Sequence, residues 1–422
     1  MSFSRVFLVT CALALFSKAA ALNNGLALLP PMGWQAWIRF RCNTDCDLDP
    51  KNCLREDLIR TMADLVVEKG FKDVGYEYIN IDDCWMAMER DSSGNLVPDP
   101  KRFPSGMKSL ADYVHGKGLK LGIYESMGYY TCQHFPGTFG YIEKDVQTFV
   151  DWGIDYVKMD TCHTPKAELV SEGFENFSIA LNNSGRPVVF SCEWPHVLSK
   201  PDYPLMFKYC NTIRNTRDVQ DSWDSVLVII EFFAKNQILF KNVSGPGKYN
   251  DPDQLIIGDH SLSYEQSKTQ MALWSIMAAQ MLMSNDLRTL APWAEEILKN
   301  TEVIRVNQDP LGIMGQRILN NTKMQIWTKP LSNGSYAAVF FSPSVSTPVS
   351  HTTTPAKLGF ESVSAGYKMR DLFEHKDLGI FKDDDELKVT ANPVGSVMIR
   401  ADPVMSKKQQ NPFKTDIQTD VI

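Results

Sequence analysis

Asp155-Tyr156-Val157-Lys158-Met159-Asp160 is an apolar run that ends on a lysine and a carboxylate one alternation apart. Residues two apart on a strand share a face, so Lys158 and Asp160 project together. A fixed ammonium beside a carboxylate favours its ionised form, which suits a nucleophile rather than a proton donor. The expectation is that Asp160 is an attacking oxygen kept charged by Lys158.

The same design recurs along the first part of the chain. Tyr78 to Asp83 ends in two carboxylates, Leu119 to Tyr124 ends in a tyrosine, and Pro187 to Trp194 ends in Ser-Cys-Glu-Trp. Between these runs lie helix-like stretches, Leu54 to Lys69, Ser109 to Lys117 and Asp145 to Trp152, each followed by a glycine that stops it. Strands alternating with helices, with polar residues confined to strand ends, predict a parallel α/β architecture. In a (β/α)8 TIM barrel all those strand ends meet at one rim, where active sites are built. Further units at Cys210 to Asn215, Asp251 to Ile257 and Gln280 to Asp286 bring the repeat to about the eight a barrel needs. After Asn307-Gln308-Asp309-Pro310 the character changes. Short β-rich segments at Met324 to Trp327, Tyr336 to Phe341, Tyr367 to Leu372 and Ser396 to Ile399 predict a C-terminal antiparallel β-sandwich domain. The expected division is a signal peptide over 1–21, a catalytic barrel over 22–310, an antiparallel β domain over 311–405 and a polar tail over 406–422.

Composition limits the function. The 422 residues carry a net charge of −7, which provides no basic surface for nucleic acid. Arg5, the apolar run Val6 to Phe16 and Ala19-Ala20-Ala21 make a secretory signal too short to span a bilayer, and no later stretch is long and apolar enough for membrane insertion. Removing the signal removes Cys11 and leaves Cys42, Cys46, Cys53, Cys84, Cys132, Cys162, Cys192 and Cys210, an even set that favours four disulfides in an exported chain. Sequons at Asn176, Asn182, Asn242, Asn320 and Asn333 fit glycosylation on the secretory route, with the product lysosomal or secreted. No metal or cofactor is expected: the spacing lacks paired CxxC units and a His pair at i, i+4, and there is no Gly-x-Ser-x-Gly elbow or phosphate-cradling glycine loop.

Acid/base work needs a second carboxylate. Arg214-Asn215-Thr216-Arg217-Asp218-Val219-Gln220-Asp221-Ser222-Trp223 offers Asp218 and Asp221. Asp221-Ser222-Trp223 reads as a helix start with Asp221 as N-cap, which leaves Asp218 as the acid/base. Two carboxyls about 5 to 5.5 Å apart would support retaining hydrolysis at a sugar carbon. Asp82 and Asp83, with Trp85 nearby, suit a pyranose: charged acceptors hold hydroxyls and an aromatic face packs on the ring.

Pro31-Met32-Gly33-Trp34, Ile81-Asp82-Asp83-Cys84-Trp85, Leu119 to Tyr124, Ser191-Cys192-Glu193-Trp194-Pro195, Asn250-Asp251-Pro252-Asp253 and Asn307-Gln308-Asp309-Pro310 occur in this order. With them the chain resembles the α-galactosidase and α-N-acetylgalactosaminidase family, glycoside hydrolase family 27 of animal lysosomal type, from Leu22 to about Pro403. The resemblance implies Asp160 as nucleophile and Asp218 as acid/base, with Trp34, Asp82, Asp83, Tyr124, Lys158, Glu193, Arg214 and Asp253 around the substrate. It implies the disulfides Cys42 to Cys84, Cys46 to Cys53, Cys132 to Cys162 and Cys192 to Cys210, a homodimer, lysosomal action and no cofactor. In that family a carboxylate at the position of Glu193 goes with galactose, and a serine there with alanine three residues on goes with N-acetylgalactosamine. Here Glu193 and His196 would clash with an N-acetyl group, so terminal α-galactoside is the expected substrate, with acetylgalactosaminidase or dual action as the alternative. Ser126, Thr161, Arg217, Lys248 and Gln254 depart from the family pattern. Arg217 would depress the pKa of Asp218 if aimed at it, and this together with Ser126 motivates a second alternative, a catalytically impaired galactoside-binding protein.

Overall fold

The computed structural model describes residues 24–404. The signal peptide and the polar tail expected from the sequence lie outside the described residues.

Eight short strands form one parallel sheet: β1 (Met32–Gln35), β2 (Tyr78–Asn80), β3 (Lys120–Ser126), β4 (Tyr156–Asp160), β5 (Val189–Cys192), β6 (Thr212–Arg214), β7 (Tyr249–Asp251) and β8 (Met281–Met283). Each pairs with its predecessor from β2 to β7, and β1 pairs with β8. Leu255, just beyond β7, bridges in parallel to Met283 and closes the barrel. The first strand went unpredicted because only four residues, Met-Gly-Trp-Gln, carry it. The seventh was expected over Asp251 to Ile257 but ends at Asp251, because Pro252 and then Asp253, at φ +79°, turn the chain out of the strand.

The helices follow from amphipathic spacing and their stops. Ile142–Trp152 buries Val146 and Phe149 against the sheet and ends at Gly153, whose φ of +78° returns its N–H to the carbonyls of Phe149 and Val150. Glu56–Glu68 and Gly106–Gly116 occupy the other two predicted helical stretches. Tyr264–Ile276 opens with a capping box of Ser263 and Gln266 and is buried over most of its circumference. It packs on the barrel and also carries the second domain on its far side: Thr269 Oγ1 bonds the Val394 carbonyl at 2.9 Å and Ser396 Oγ at 2.9 Å.

The second domain is antiparallel. A six-stranded sheet runs β14-β13-β16-β11-β10-β9, built from β9 (Gln316–Asn320), β10 (Gln325–Pro330), β11 (Tyr336–Phe341), β13 (Tyr367–Asp371), β14 (Lys376–Phe381) and β16 (Ser396–Pro403), and β12 (Val349–Thr353) pairs with β15 (Leu387–Ala391) against it. Strand β11 shows why its sequence reads as an unbroken apolar run. Ala337 and Val339 join the barrel core, while Ala338 and Phe340 fill a separate core under β12 and β15.

Gly33 lets β1 lie on β2, where an added methyl would overlap the Tyr78 carbonyl oxygen and sit 2.6 Å from its Cβ. Gly33→Ala should therefore cost roughly 3 kcal/mol and lower the melting temperature. Gly116→Ala, with nothing within 4 Å of the new Cβ, should leave the melt unchanged or raise it.

Candidate active site

The strand ends converge as expected, but the cations choose other partners. Lys158 Nζ lies 3.0 Å from Asp82 Oδ2 and 3.5 Å from Glu193 Oε1, both almost wholly buried, so the expectation that it holds Asp160 charged is corrected. The long lysine stem reaches across the rim to the ends of β2 and β5. Asp160 is held instead by neutral donors. Tyr124 donates its hydroxyl to Oδ2 at 2.8 Å, and the Thr161 N–H donates to Oδ1 at 2.6 Å. Sγ of Cys132, bonded to Cys162, lies 3.1 Å from Oδ2 and forms a soft wall beside it.

Arg214, at the end of β6, is the second hub. Its guanidinium meets Asp253 at 2.9 Å, Glu193 at 3.4 Å and Asp218 in a still closer contact, and its Nε donates to the Thr216 carbonyl at 2.7 Å. Asp218 has a side chain 40% exposed. The part that is buried disfavours its charge, but Arg214, Lys158 and a hydrogen bond from Trp37 outweigh this and hold its pKa down to about 2. Glu193 goes the other way. Full burial, together with the charges of Asp160 and Asp218, outweighs Arg214 and Lys158 and pushes its pKa well up. The inner and outer carboxyls are thus shifted in opposite directions. His196 Nδ1 stands 3.5 Å from Glu193 Oε2, and burial with the nearby Arg214 charge pushes its pKa down, which favours the neutral ring.

Strand alternation stops at Asn80, which frees Asp82 and Asp83 to be buried side by side. Asp82 also accepts from Gln35 Nε2, while Asp83 accepts the N–H of Gln133 at 3.0 Å and of Cys84 at 2.6 Å. Burial pushes the Asp83 pKa up to about 7, with Asp82 adding to the rise. Trp34 is fully buried at the end of β1 and donates its indole N–H to the Asn285 carbonyl at 2.8 Å.

Several expectations need correction. Trp85 is no sugar platform: it is fully buried, edge-on to Trp152 and Phe149, because its indole N–H is drawn inward to the Tyr124 carbonyl. Asp221 is not the helix cap, since Ser222 accepts the Ser225 N–H while Asp221 ties down His260 and Ser261. Arg217 is exposed, and Arg214 is the base that depresses Asp218. Ser126 braces the loop after β4: its Oγ donates to the Cys162 carbonyl and accepts the Cys162 N–H. Sequence reasoning missed Gln35, Trp37 and a buried layer below the pocket in which Tyr156 donates to Gln280 at 3.0 Å and Gln280 donates to Asp251. The only available signal was an interior polar residue on an otherwise apolar strand.

The comparisons decide the family. Residues 29–309 match the model described as alpha galactosidase A, and residues 321–401 match the alpha galactosidase C-terminal beta sandwich domain. The chain belongs to the α-galactosidase A family, glycoside hydrolase family 27. It is a glycoside hydrolase. The alpha-N-acetylgalactosaminidase of Gallus gallus is 50% identical over 383 residues, covering 89% of this chain and 94% of that one. Alpha-galactosidase A of Homo sapiens is 45% identical over 394 residues, covering 92% of each. The crystal structure of alpha-galactosidase I from Mortierella vinacea superposes with a TM-score of 0.79 at 29% identity, over 91% of this chain and 100% of that chain. The four disulfides pair as the family resemblance implied, which places folding of this hydrolase on the oxidising secretory route. No helix among the described residues is long and apolar enough to cross a membrane, and all five sequon asparagines are exposed.

Because Asp83 ionises near 7 in the fold and near 3.8 in the unfolded chain, stability is lost as pH rises through that window, at about 1.4 kcal/mol for each pH unit crossed. Asp83→Asn removes this loss. Its melting temperature relative to the unsubstituted protein should climb between pH 4 and about 7 and then level off, whereas a pH-independent difference would refute the raised pKa.

Proposed function

We propose that the protein is a retaining exo-glycosidase that removes terminal α-galactose from glycolipids, glycoproteins or oligosaccharides. The observation that carries this reading is Glu193. Its Oε1 is buried without a hydrogen-bond partner, with the Lys158 ammonium 3.5 Å away, while its other oxygen faces Arg214 and His196, so one acceptor is left for a sugar 2-hydroxyl. An N-acetyl group at that carbon would meet His196 and leave the acceptor unpaired.

In this reading Asp160 attacks the anomeric carbon. Tyr124 and the Thr161 N–H orient its two oxygens, and the C–O bond to the leaving group breaks as Asp218 gives that oxygen a proton. Asp218 must first gain that proton. Sugar entry excludes water, and this desolvation opposes the Arg214 contact that holds Asp218 ionised. Once Asp160 is esterified, one negative charge is gone from the pocket, and Asp218 returns to its ionised form as the base that deprotonates water. Asp82, Asp83 and Lys158 hold the remaining hydroxyls. The family relation and the exposed sequons support delivery to an acidic lysosome or secretion, and action as a homodimer.

A second reading is favoured by one observation: the 50% identity to a protein named alpha-N-acetylgalactosaminidase exceeds the 45% to human alpha-galactosidase A. Paired aryl α-galactoside and α-N-acetylgalactosaminide assays at mildly acidic pH decide between them, and cleavage of the acetylated substrate alone would sink the galactose reading. Glu193→Ser with His196→Ala should lower kcat/KM for galactoside by about a hundredfold and raise it for the acetylated substrate.

Asp160→Asn should lower kcat by about ten thousandfold or more on every substrate. Asp218→Asn should cost about a thousandfold on an alkyl galactoside but far less on α-galactosyl fluoride, whose leaving group needs no proton. Equal losses on the two substrates would remove Asp218 from the acid role.

A further inference from the structure

Three rings stand exposed beside the pocket and belong to neither the core nor the residues assigned above: Tyr130 and His134 in the loop after β3, and His163 in the loop after β4. The His134 and His163 rings have centroids 4.4 Å apart, and Tyr130 meets His163 edge-on at 6.3 Å. Tyr130 is 52% exposed, so this ring surface costs apolar contact with water and gives the core nothing. Both histidines are also held in the left-handed region, at φ +64° and +48°, which residues with a Cβ adopt at a cost.

The patch is fixed from beneath to the sugar pocket itself. Cys132 and Cys162, joined by a disulfide, are the neighbours of these rings in sequence, and Cys132 Sγ is 3.1 Å from Asp160. The N–H of Gln133, next to His134, holds Asp83, and the Tyr129 N–H bonds the His163 carbonyl at 3.1 Å. A rigid, strained aromatic surface at the mouth of a pocket that takes one sugar has the chemistry to pack on the C–H face of the next one. A metal fits less well. The only group of three potential ligands found among the described residues is Cys132, Asp160 and Cys162, whose cysteines are already joined, so the two imidazoles have no third partner.

We propose that Tyr130, His134 and His163 form a platform for the first sugar of the leaving group, giving this enzyme a preference for α-galactosides borne on a glycan. This rests on the exo-glycosidase reading above. The test is the full-length triple variant Tyr130→Ser, His134→Gly and His163→Gly, in which glycine keeps the left-handed backbone, checked by an unchanged thermal melt. The expected result is a fall of about tenfold in kcat/KM for an α-galactosyl disaccharide, chiefly through KM, with α-galactosyl fluoride hydrolysis within about twofold of the starting enzyme. Parallel losses on both substrates would show a structural role, and no loss on either would show idle rings; both overturn the platform. If the unsubstituted enzyme cleaves only N-acetylgalactosaminyl substrates, the galactose reading fails alone, and the same ratio on the acetylated fluoride and disaccharide decides the platform.

Discussion

Two buried cations govern the pocket. Lys158 and Arg214 each come from a strand end, and each is nearly sealed from water, so neither is tolerable without carboxylates in contact. Asp82, Glu193, Asp253 and Asp218 meet that demand, and they arrive from the ends of β2, β5, β7 and β6. The ion pairs therefore fix the relative position of strand ends far apart in sequence. They also leave more acid than base, and the carboxyls shift in opposite directions: Glu193 is pushed up by its burial among other carboxylates, and Asp218 is pulled down by the guanidinium and the ammonium beside it.

The two domains divide the labour. The barrel provides every side chain of the candidate pocket, yet one support reaches back toward the sandwich. Trp274, on the helix wedged between the domains, donates its indole N–H to the Asp253 carbonyl at 2.8 Å. Asp253 sits at φ +79°, a strained backbone that presents its carboxylate to Arg214 and accepts the Val219 N–H at 2.7 Å. Covering that helix with β11 and β16 keeps water from competing for the bond. The disulfide Cys132–Cys162 does comparable work on the other side of the pocket, binding the loop after β3 to the loop after β4.

The sequence was most legible where local chemistry and tertiary role coincide. Gly153, Gly70 and Gly118 marked helix ends because each adopts a positive φ that the stop requires. Strand β11 was plain because both of its faces are buried. By contrast, β9, β12, β14 and β15 went unseen. Val-Ser-His-Thr-Thr and Lys-Asp-Leu-Gly-Ile-Phe have exposed faces or edges and lack an apolar run, so only pairing with neighbours makes them strands. Trp85 was misread for a related reason, since an aromatic beside two carboxylates looks the same in sequence whether it faces a sugar or Phe149.

The amino-acid sequence by itself determined the strand and helix alternation, the rim position of its polar residues and the family, because these depend on local periodicity and on motifs that survive as linear text. Only the folded chain decided which charge meets which. Lys158 and Asp160 are neighbours on one strand, yet the lysine serves Asp82 and Glu193, and Asp160 is served by Tyr124. Coulomb attraction and desolvation act through space, so partners are set by the closing of the barrel and not by separation along the chain.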